Sequence, residues 1–134
     1  MVAVDGIREP WACYDLSKRD CKASLGCEWT YKGAGRCRPK FALKPLRTRE
    51  AAKEAVDRVV ATIRHVPEEN LTRAFREGFY LTNTLPHSPS WRDVPWEVKQ
   101  YLMWEGKERV LDAYLERARK AGRRTRIRVM VPAR

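Results

Sequence analysis

A chain of 134 residues is long enough to bury a hydrophobic core and short enough to form a single domain. Its 28 Lys and Arg residues outnumber its 17 Asp and Glu residues, and the net charge of +11 favours an anionic partner such as nucleic acid, acidic lipid or an acidic protein surface. No apolar run approaches the roughly 20 residues of a membrane span, so we expect no transmembrane helix.

The first 45 residues are expected to form a small head, because all four cysteines lie there. An alternating stretch and the glycines of Lys-Gly-Ala-Gly lie between Cys27 and Cys37, a pattern that predicts a β-hairpin turned at Gly33–Gly35. Residues 14–23 predict a short helix or turn that ends near Gly26.

Four cysteines in a segment too small for its own core favour two disulfides. The sequence does not choose among three pairings of Cys13, Cys21, Cys27 and Cys37. Two of them, Cys13–Cys37 with Cys21–Cys27 or Cys13–Cys27 with Cys21–Cys37, would join the hairpin to the preceding turn. Free thiols and a structural zinc are the alternatives, although the segment has neither a C-x2-C knuckle nor a histidine.

Residues 46–122 predict a helical domain, reached through a proline-containing linker that Phe41 and Leu43 should hold against the body. The first helix, 49–65, has Thr48 as its N-cap. Its apolar stripe consists of Ala52, Val56, Val59, Val60, Ile63 and Val66.

A second helix should begin at Pro67 and run to about Thr84. Gly78 either weakens this helix or allows a close crossing. In the following loop, we expect Trp91 to pack against the helices. The residues expected to be buried are Leu71, Ala74, Phe75 and Phe79, with Leu81 or Leu85.

The third predicted helix, 94–121, is the longest, with Asp93 as its N-cap, Gly106 as its weak point and Gly122 as its stop. Unbroken, it would span roughly 42 Å at ~1.5 Å per residue, which exceeds the width of a small domain. Part of its apolar face is therefore expected to contact another protein. That face, whose three- and four-residue spacing is typical of one buried helix face, comprises Val98, Tyr101, Leu102, Trp104, Val110, Leu111, Tyr114, Leu115 and Ala118.

Residues 123–134 predict a short basic strand or tail, because Ile127, Val129 and Val131 alternate with Arg126, Arg128 and Met130. The expected fold is thus mainly α, a three-helix body with a small Cys-rich β-hairpin head and an extended basic C-terminal segment.

The sequence contains no recognisable catalytic arrangement. Its two histidines, His65 and His87, are interpreted as a helix-end residue and a loop residue, and no phosphate-binding glycine loop or metal-binding helix motif occurs. We therefore expect no enzymatic activity, no cofactor and no metal.

Part of the chain resembles a known family. Residues 59–109 contain a helix before Val-Pro-Glu, an Arg-aromatic-Arg step, a Leu-Pro, a tryptophan, a Tyr-Leu pair and a charged helix. This order resembles the small (14 kDa) helical accessory subunit of ubiquinol–cytochrome c reductase, respiratory complex III. The matching positions are Arg64, Pro67, Glu68, Arg73, Phe75, Arg76, Leu85, Pro86, Trp91, Tyr101, Leu102, Glu108 and Arg109.

The resemblance implies a structural, assembly-supporting subunit that is peripheral to the mitochondrial inner membrane and lacks a redox centre. The cysteine-rich head and the basic end have no counterpart in that family, whose members lie on the matrix side. Expected partners are other subunits of a large complex and anionic lipid at the membrane surface. The alternative is an RNA-contacting subunit of a mitochondrial ribosome. The residues expected to bind a partner are Arg73, Phe75, Arg76, Trp91, Tyr101, Trp104, Arg123, Arg124, Arg126 and Arg128.

Overall fold

The computed structural model describes residues 9–31 and 33–120. It confirms a mainly helical protein with a small antiparallel hairpin. The elements are α1 (Lys18–Ala23), β1 (Cys27–Thr30), β2 (Arg36–Pro39), α2 (Arg49–His65), α3 (Leu71–Phe79), α4 (Trp96–Tyr101) and α5 (Lys107–Lys120). The predicted Gly122 helix stop and the predicted C-terminal strand lie outside the described residues.

Two disulfides hold the head together. They join Cys13 to Cys27 and Cys21 to Cys37, which is one of the pairings left open by the sequence, so these cysteines are neither free thiols nor zinc ligands. Ser17 caps α1, since its hydroxyl accepts a hydrogen bond from the amide of Asp20 at 3.2 Å. The hairpin turns where predicted, with Gly33 and Gly35 at positive φ.

Helix α2 lies at the centre of the core and packs against α3, α4 and α5. The Thr48 hydroxyl accepts from the amide of Ala51 at 3.1 Å, as expected for an N-cap. The predicted stripe is confirmed, because all six of its side chains are buried. Buried Thr62 satisfies its hydroxyl by donating to the carbonyl of Arg58 at 2.7 Å.

The second predicted helix is a continuous helical run made of three parts: a 3₁₀ turn (Glu68–Asn70), α3, and a π-helical segment (Tyr80–Thr84). Gly78 allows the close crossing, because a Cβ there would collide with Cγ1 of Val59 on α2. Trp91, in the loop that follows, packs against the core as predicted.

The third predicted helix is also continuous from 96 to 120, and it contains a second π segment (Leu102–Gly106) between α4 and α5. The two π segments pack side by side. A Cβ on Gly106 would lie 3.4 Å from Cγ2 of Thr82, and Lys107 Nζ donates to Asn83 Oδ1 at 3.1 Å. Gly106 therefore marks a close approach between helices.

Three expectations about side chains and caps are wrong. Asp93 does not cap the third helix, because it lies in the preceding turn, Pro95 occupies the N-cap position, and no side-chain cap hydrogen bond is formed there. Leu43 is 40% exposed, and the linker is held by Phe41 together with Ala42 and Leu46. Trp104 is 61% exposed, because each residue of a π turn advances by less than the ~100° of an α-helix and so rotates this side chain away from the core.

Part of the apolar face of the third helix was expected to contact another protein. Two of its aliphatic side chains are buried within this chain. Val110 and Leu111 are 0% and 1% exposed and belong to the core formed with α2 and α3. Within residues 9–31 and 33–120, no helix combines the length and the apolar character needed to cross a bilayer.

Candidate interaction surfaces

The predicted partner-binding residues occupy different environments. Phe75 and Tyr101 are 6% and 5% exposed and lie in the core, whereas Trp91 is half-buried. Arg76 and Trp104 are exposed. A partner-binding role for these residues stays a prediction. Because Phe75 and Tyr101 are buried, little of their surface is accessible to a partner. Outside the described residues lie Arg123, Arg124, Arg126 and Arg128.

The two buried aromatics have partners within the chain. The ring centroid of Phe75 lies 5.5 Å from that of Phe79 and 4.3 Å from that of Tyr114. The Tyr101 hydroxyl accepts a hydrogen bond from Arg109 at 3.1 Å, and the guanidinium of Arg49 lies 5.4 Å from its ring. These contacts account for both side chains as parts of the core.

Arg73 joins the head to α3. Its guanidinium donates to the carbonyl of Cys37 at 2.9 Å, lies 4.6 Å from the ring centroid of Tyr14, and pairs with Glu77 at 3.4 Å. The Tyr14 hydroxyl in turn donates to the Glu77 carboxylate at 2.6 Å. Burial, followed by the adjacent negative charge of Glu77, raises the pKa of Tyr14 above its ordinary range. This polar cluster fixes the orientation of the disulfide-bonded head on the helical body.

Three other arginines also connect elements. Arg58 on α2 donates to the carbonyls of Lys40 and Gly26 at 3.1 and 3.2 Å, and burial lowers its pKa. Arg117 on α5 donates to the carbonyl of Ile63 at 2.9 Å.

Arg109, also on α5, pairs with Asp57 at 2.6 Å. Burial alone would lower the pKa of Arg109, but the hydrogen bonds to Asp57 and Tyr101 outweigh it and the pKa rises. Part of the chain's positive charge therefore stabilises its own fold through these contacts.

A pair of exposed tryptophans distinguishes the outer side of the third helical run. Trp96 and Trp104 are 62% and 61% exposed, although tryptophan is on average a strongly buried residue. They are eight residues apart on one helical run, and Trp104 lies within the π segment Leu102–Gly106. At ~100° per residue in an α-helix and somewhat less in a π turn, eight residues amount to slightly more than two full turns. The two positions therefore lie within about 80° of each other around the helix, roughly 12 Å apart along the axis at ~1.5 Å per residue. We call this pair the tryptophan face.

A groove separates the head and linker from the second helical run and has a volume of about 560 Å³. Its apolar surface includes Phe41, Leu46, Leu85 and Trp91, all of which are partly exposed. Charged side chains from both walls form the rim: Glu28, Arg38, Lys40, Arg76 and Glu77. Two of the predicted partner-binding residues, Arg76 and Trp91, thus meet at one site.

No cluster of three or more His, Cys, Asp or Glu side chains suited to a metal ion occurs within residues 9–31 and 33–120. Comparison with protein-family models, with curated proteins and with solved structures finds no match to this chain.

Sequence reasoning missed Trp96 and the groove. Trp96 follows Pro95 at the start of a helix, amid the polar residues Glu97, Lys99 and Gln100. That polar neighbourhood was a signal that this side of the helix faces outward. The groove gave no such signal, because its walls come from segments 30 or more residues apart that are brought together by tertiary contacts such as those of Arg73.

Proposed function

We propose that this protein is a non-catalytic accessory subunit of a mitochondrial inner-membrane respiratory complex, most like complex III, and that it docks through the tryptophan face. The observation that carries the proposal is the exposure of Trp96 and Trp104 on a single helical run. Tryptophan is enriched among the residues that dominate binding energy at protein interfaces. The resemblance over residues 59–109 is the reason for proposing a respiratory complex, and complex III in particular, as the assembly.

Contacts with α2 hold the third helical run in place near Trp104, and a surface that is already ordered favours stable docking over a transient encounter. Arg49 on α2 pairs with Glu105, the residue beside Trp104, at 2.8 Å. Its guanidinium also lies against the ring of Tyr101, one helical turn before Trp104. Because the helix backbone is already formed, binding through these indoles would order side chains only and not the backbone.

The disulfides bear on the location of the proposed subunit. Stable disulfides are rare where thiols are kept reduced, as in the mitochondrial matrix. Both bonds here are central to the head, since three of their four cysteines are at most 1% exposed. We therefore place the proposed docking site on the inner-membrane surface that faces the intermembrane space, in contrast to the matrix side implied by the resemblance.

Native purification from the source membrane in mild detergent tests this function, with mass spectrometry of the proteins that accompany the tagged chain. We expect respiratory-complex subunits to co-purify, and we expect Trp96→Ala and Trp104→Ala each to weaken affinity for the complex by at least about thirtyfold, given ≥ 2 kcal/mol for hot-spot side chains. The matched control is Tyr31→Ala, which removes an aromatic that is 67% exposed on the head.

Two outcomes would contradict the proposal. In one, the tryptophan variants retain the complex as well as the Tyr31→Ala control does. In the other, the chain co-purifies with RNA and its affinity falls linearly on a log–log plot against salt, which is the signature of phosphate contacts and would favour the ribosomal alternative. Thermal unfolding of each variant separates lost docking from lost folding, because substitutions at exposed positions change stability by only about 0.5 kcal/mol.

A further inference from the structure

We propose that the groove between the head and the second helical run binds a long-chain carboxylate, with its alkyl chain on the apolar wall and its carboxylate at the basic rim. This binding site is distinct from the tryptophan face and does not depend on the function proposed above.

The shape and lining of the groove fit a single alkyl chain. Its volume of about 560 Å³ lies within the roughly 300–1,000 Å³ of small-molecule sites. At about 30 Å³ for a group the size of a water molecule, it has room for roughly 18 methylene groups. Phe41 and Trp91 contribute aromatic surface and Leu85 contributes aliphatic surface, while all three side chains also pack against the core. The apolar wall is therefore supported from behind.

The charges at the rim specify an anionic head group. Glu28 is paired with Arg38 at 2.8 Å, and Glu77 is occupied by Arg73 and Tyr14, so both rim carboxylates are neutralised by their neighbours. Arg76 and Lys40 also line the groove, and within the described part of the chain neither side chain forms an ion pair. An exposed guanidinium binds a carboxylate through two parallel hydrogen bonds.

The same two cations argue against the chain's own C-terminal segment as the occupant. Residues 123–134 carry five arginines and no acidic residue, so the rim would repel them. A free fatty acid has an alkyl chain that fits the apolar wall and a single negative charge that would pair with the two cations.

Titration of the full-length oxidised protein with dodecanoate below its micellar concentration tests the proposal. We use calorimetry for affinity and amide and indole NMR shifts for location. We expect saturable one-to-one binding, with the largest shifts at Trp91 and Phe41. Dodecanol should bind more weakly because it lacks the charge, and hexanoate more weakly because it lacks the apolar length.

Variants of the rim separate the charge from the fold. Arg76→Gln is expected to reduce dodecanoate affinity by about three- to tenfold, and Arg76→Gln/Lys40→Gln should reduce it to that of dodecanol, since both side chains are exposed and their loss leaves no buried group unpaired. Arg119→Gln, on an exposed position of α5 away from the groove, is the matched control and should bind like the parent protein.

Three results would overturn the proposal: no dodecanoate binding at millimolar concentration, binding whose NMR shifts lie away from Phe41 and Trp91, or equal affinity in the rim variants and the control. Binding only to phosphatidylglycerol vesicles, with none to monomeric dodecanoate, would also overturn it and assign the basic rim to a membrane surface. Since Trp96 and Trp104 are unchanged in all of these variants, failure here leaves the docking proposal standing.

Discussion

Replacing Gly78 by alanine adds one methyl group where α3 crosses α2. The new Cβ would approach Val59 Cγ1 to well within the sum of the two carbons' van der Waals radii, and Val59 is itself 0% exposed. Overpacking of this kind costs about 1–3 kcal/mol, and the severity of the overlap places this case near 3. Alanine recovers about 1 kcal/mol of helix propensity relative to glycine. We therefore expect Gly78→Ala to lower the free energy of unfolding by about 2 kcal/mol.

Urea unfolding of the oxidised protein, followed by circular dichroism, measures this change, and an unaltered m-value would show that the unfolded state is not affected. Gly106→Ala is the matched control. Its Cβ would approach Val56 Cγ2 at 3.1 Å, a contact that a small shift relieves, so propensity and packing should cancel to within about 0.5 kcal/mol.

A double variant tests the physical cause directly. Val59→Ala alone should destabilise the protein by about 2 kcal/mol through lost burial and a small cavity. In that background the methyl group of Gly78→Ala finds space, so its effect should change sign and become stabilising by up to about 1 kcal/mol. If Gly78→Ala costs the same with valine and with alanine at position 59, the close-crossing explanation is wrong.

Two further predictions concern helix caps and pH. Thr48→Ala should lower the free energy of unfolding by about 1 kcal/mol because it removes a helix cap, whereas Asp93→Ala should leave it unchanged within error; equal losses in urea unfolding would contradict the assigned helix start. The pKa of Tyr14 is raised above its ordinary value of 10.0, so the folded state retains a proton that the unfolded state releases. Its contribution to stability is therefore fully present below pH 10 and should fall by about 1.4 kcal/mol per pH unit above it. Tyr14→Phe should remove this part of the alkaline slope while leaving the part due to lysines, and parallel slopes for the two proteins between pH 9 and 11 would refute the assignment.

The sequence predicted the elements that depend on local pattern. The apolar spacing in α2, its Thr48 cap and the glycines of the hairpin turn all act within a few residues, and all three were confirmed. For Gly78 the sequence left two interpretations open, a weakened helix or a close helix crossing. The position of Val59 on another helix shows that the close crossing is correct.

Contacts that link distant segments account for what the sequence did not predict. A period of 3.6 residues assigned Trp104 to the buried face, but the π segment changes the period locally through packing against Thr82 on another helical run. Arg73 was predicted to bind a partner from its position in a motif. The structure gives it Tyr14 and Cys37 from the head as neighbours, which no pattern within the helix could reveal.

The order of the cysteines has a consequence for degradation. The bonds 13–27 and 21–37 overlap along the chain, and the loop at Leu25, which is 60% exposed, lies within both. A protease that cleaved after Leu25 would produce two fragments, one carrying Cys13 and Cys21 and the other Cys27 and Cys37. Each bond would then connect one fragment to the other. The nicked molecule would keep its head in place and migrate as an intact chain until a reducing agent separated the pieces.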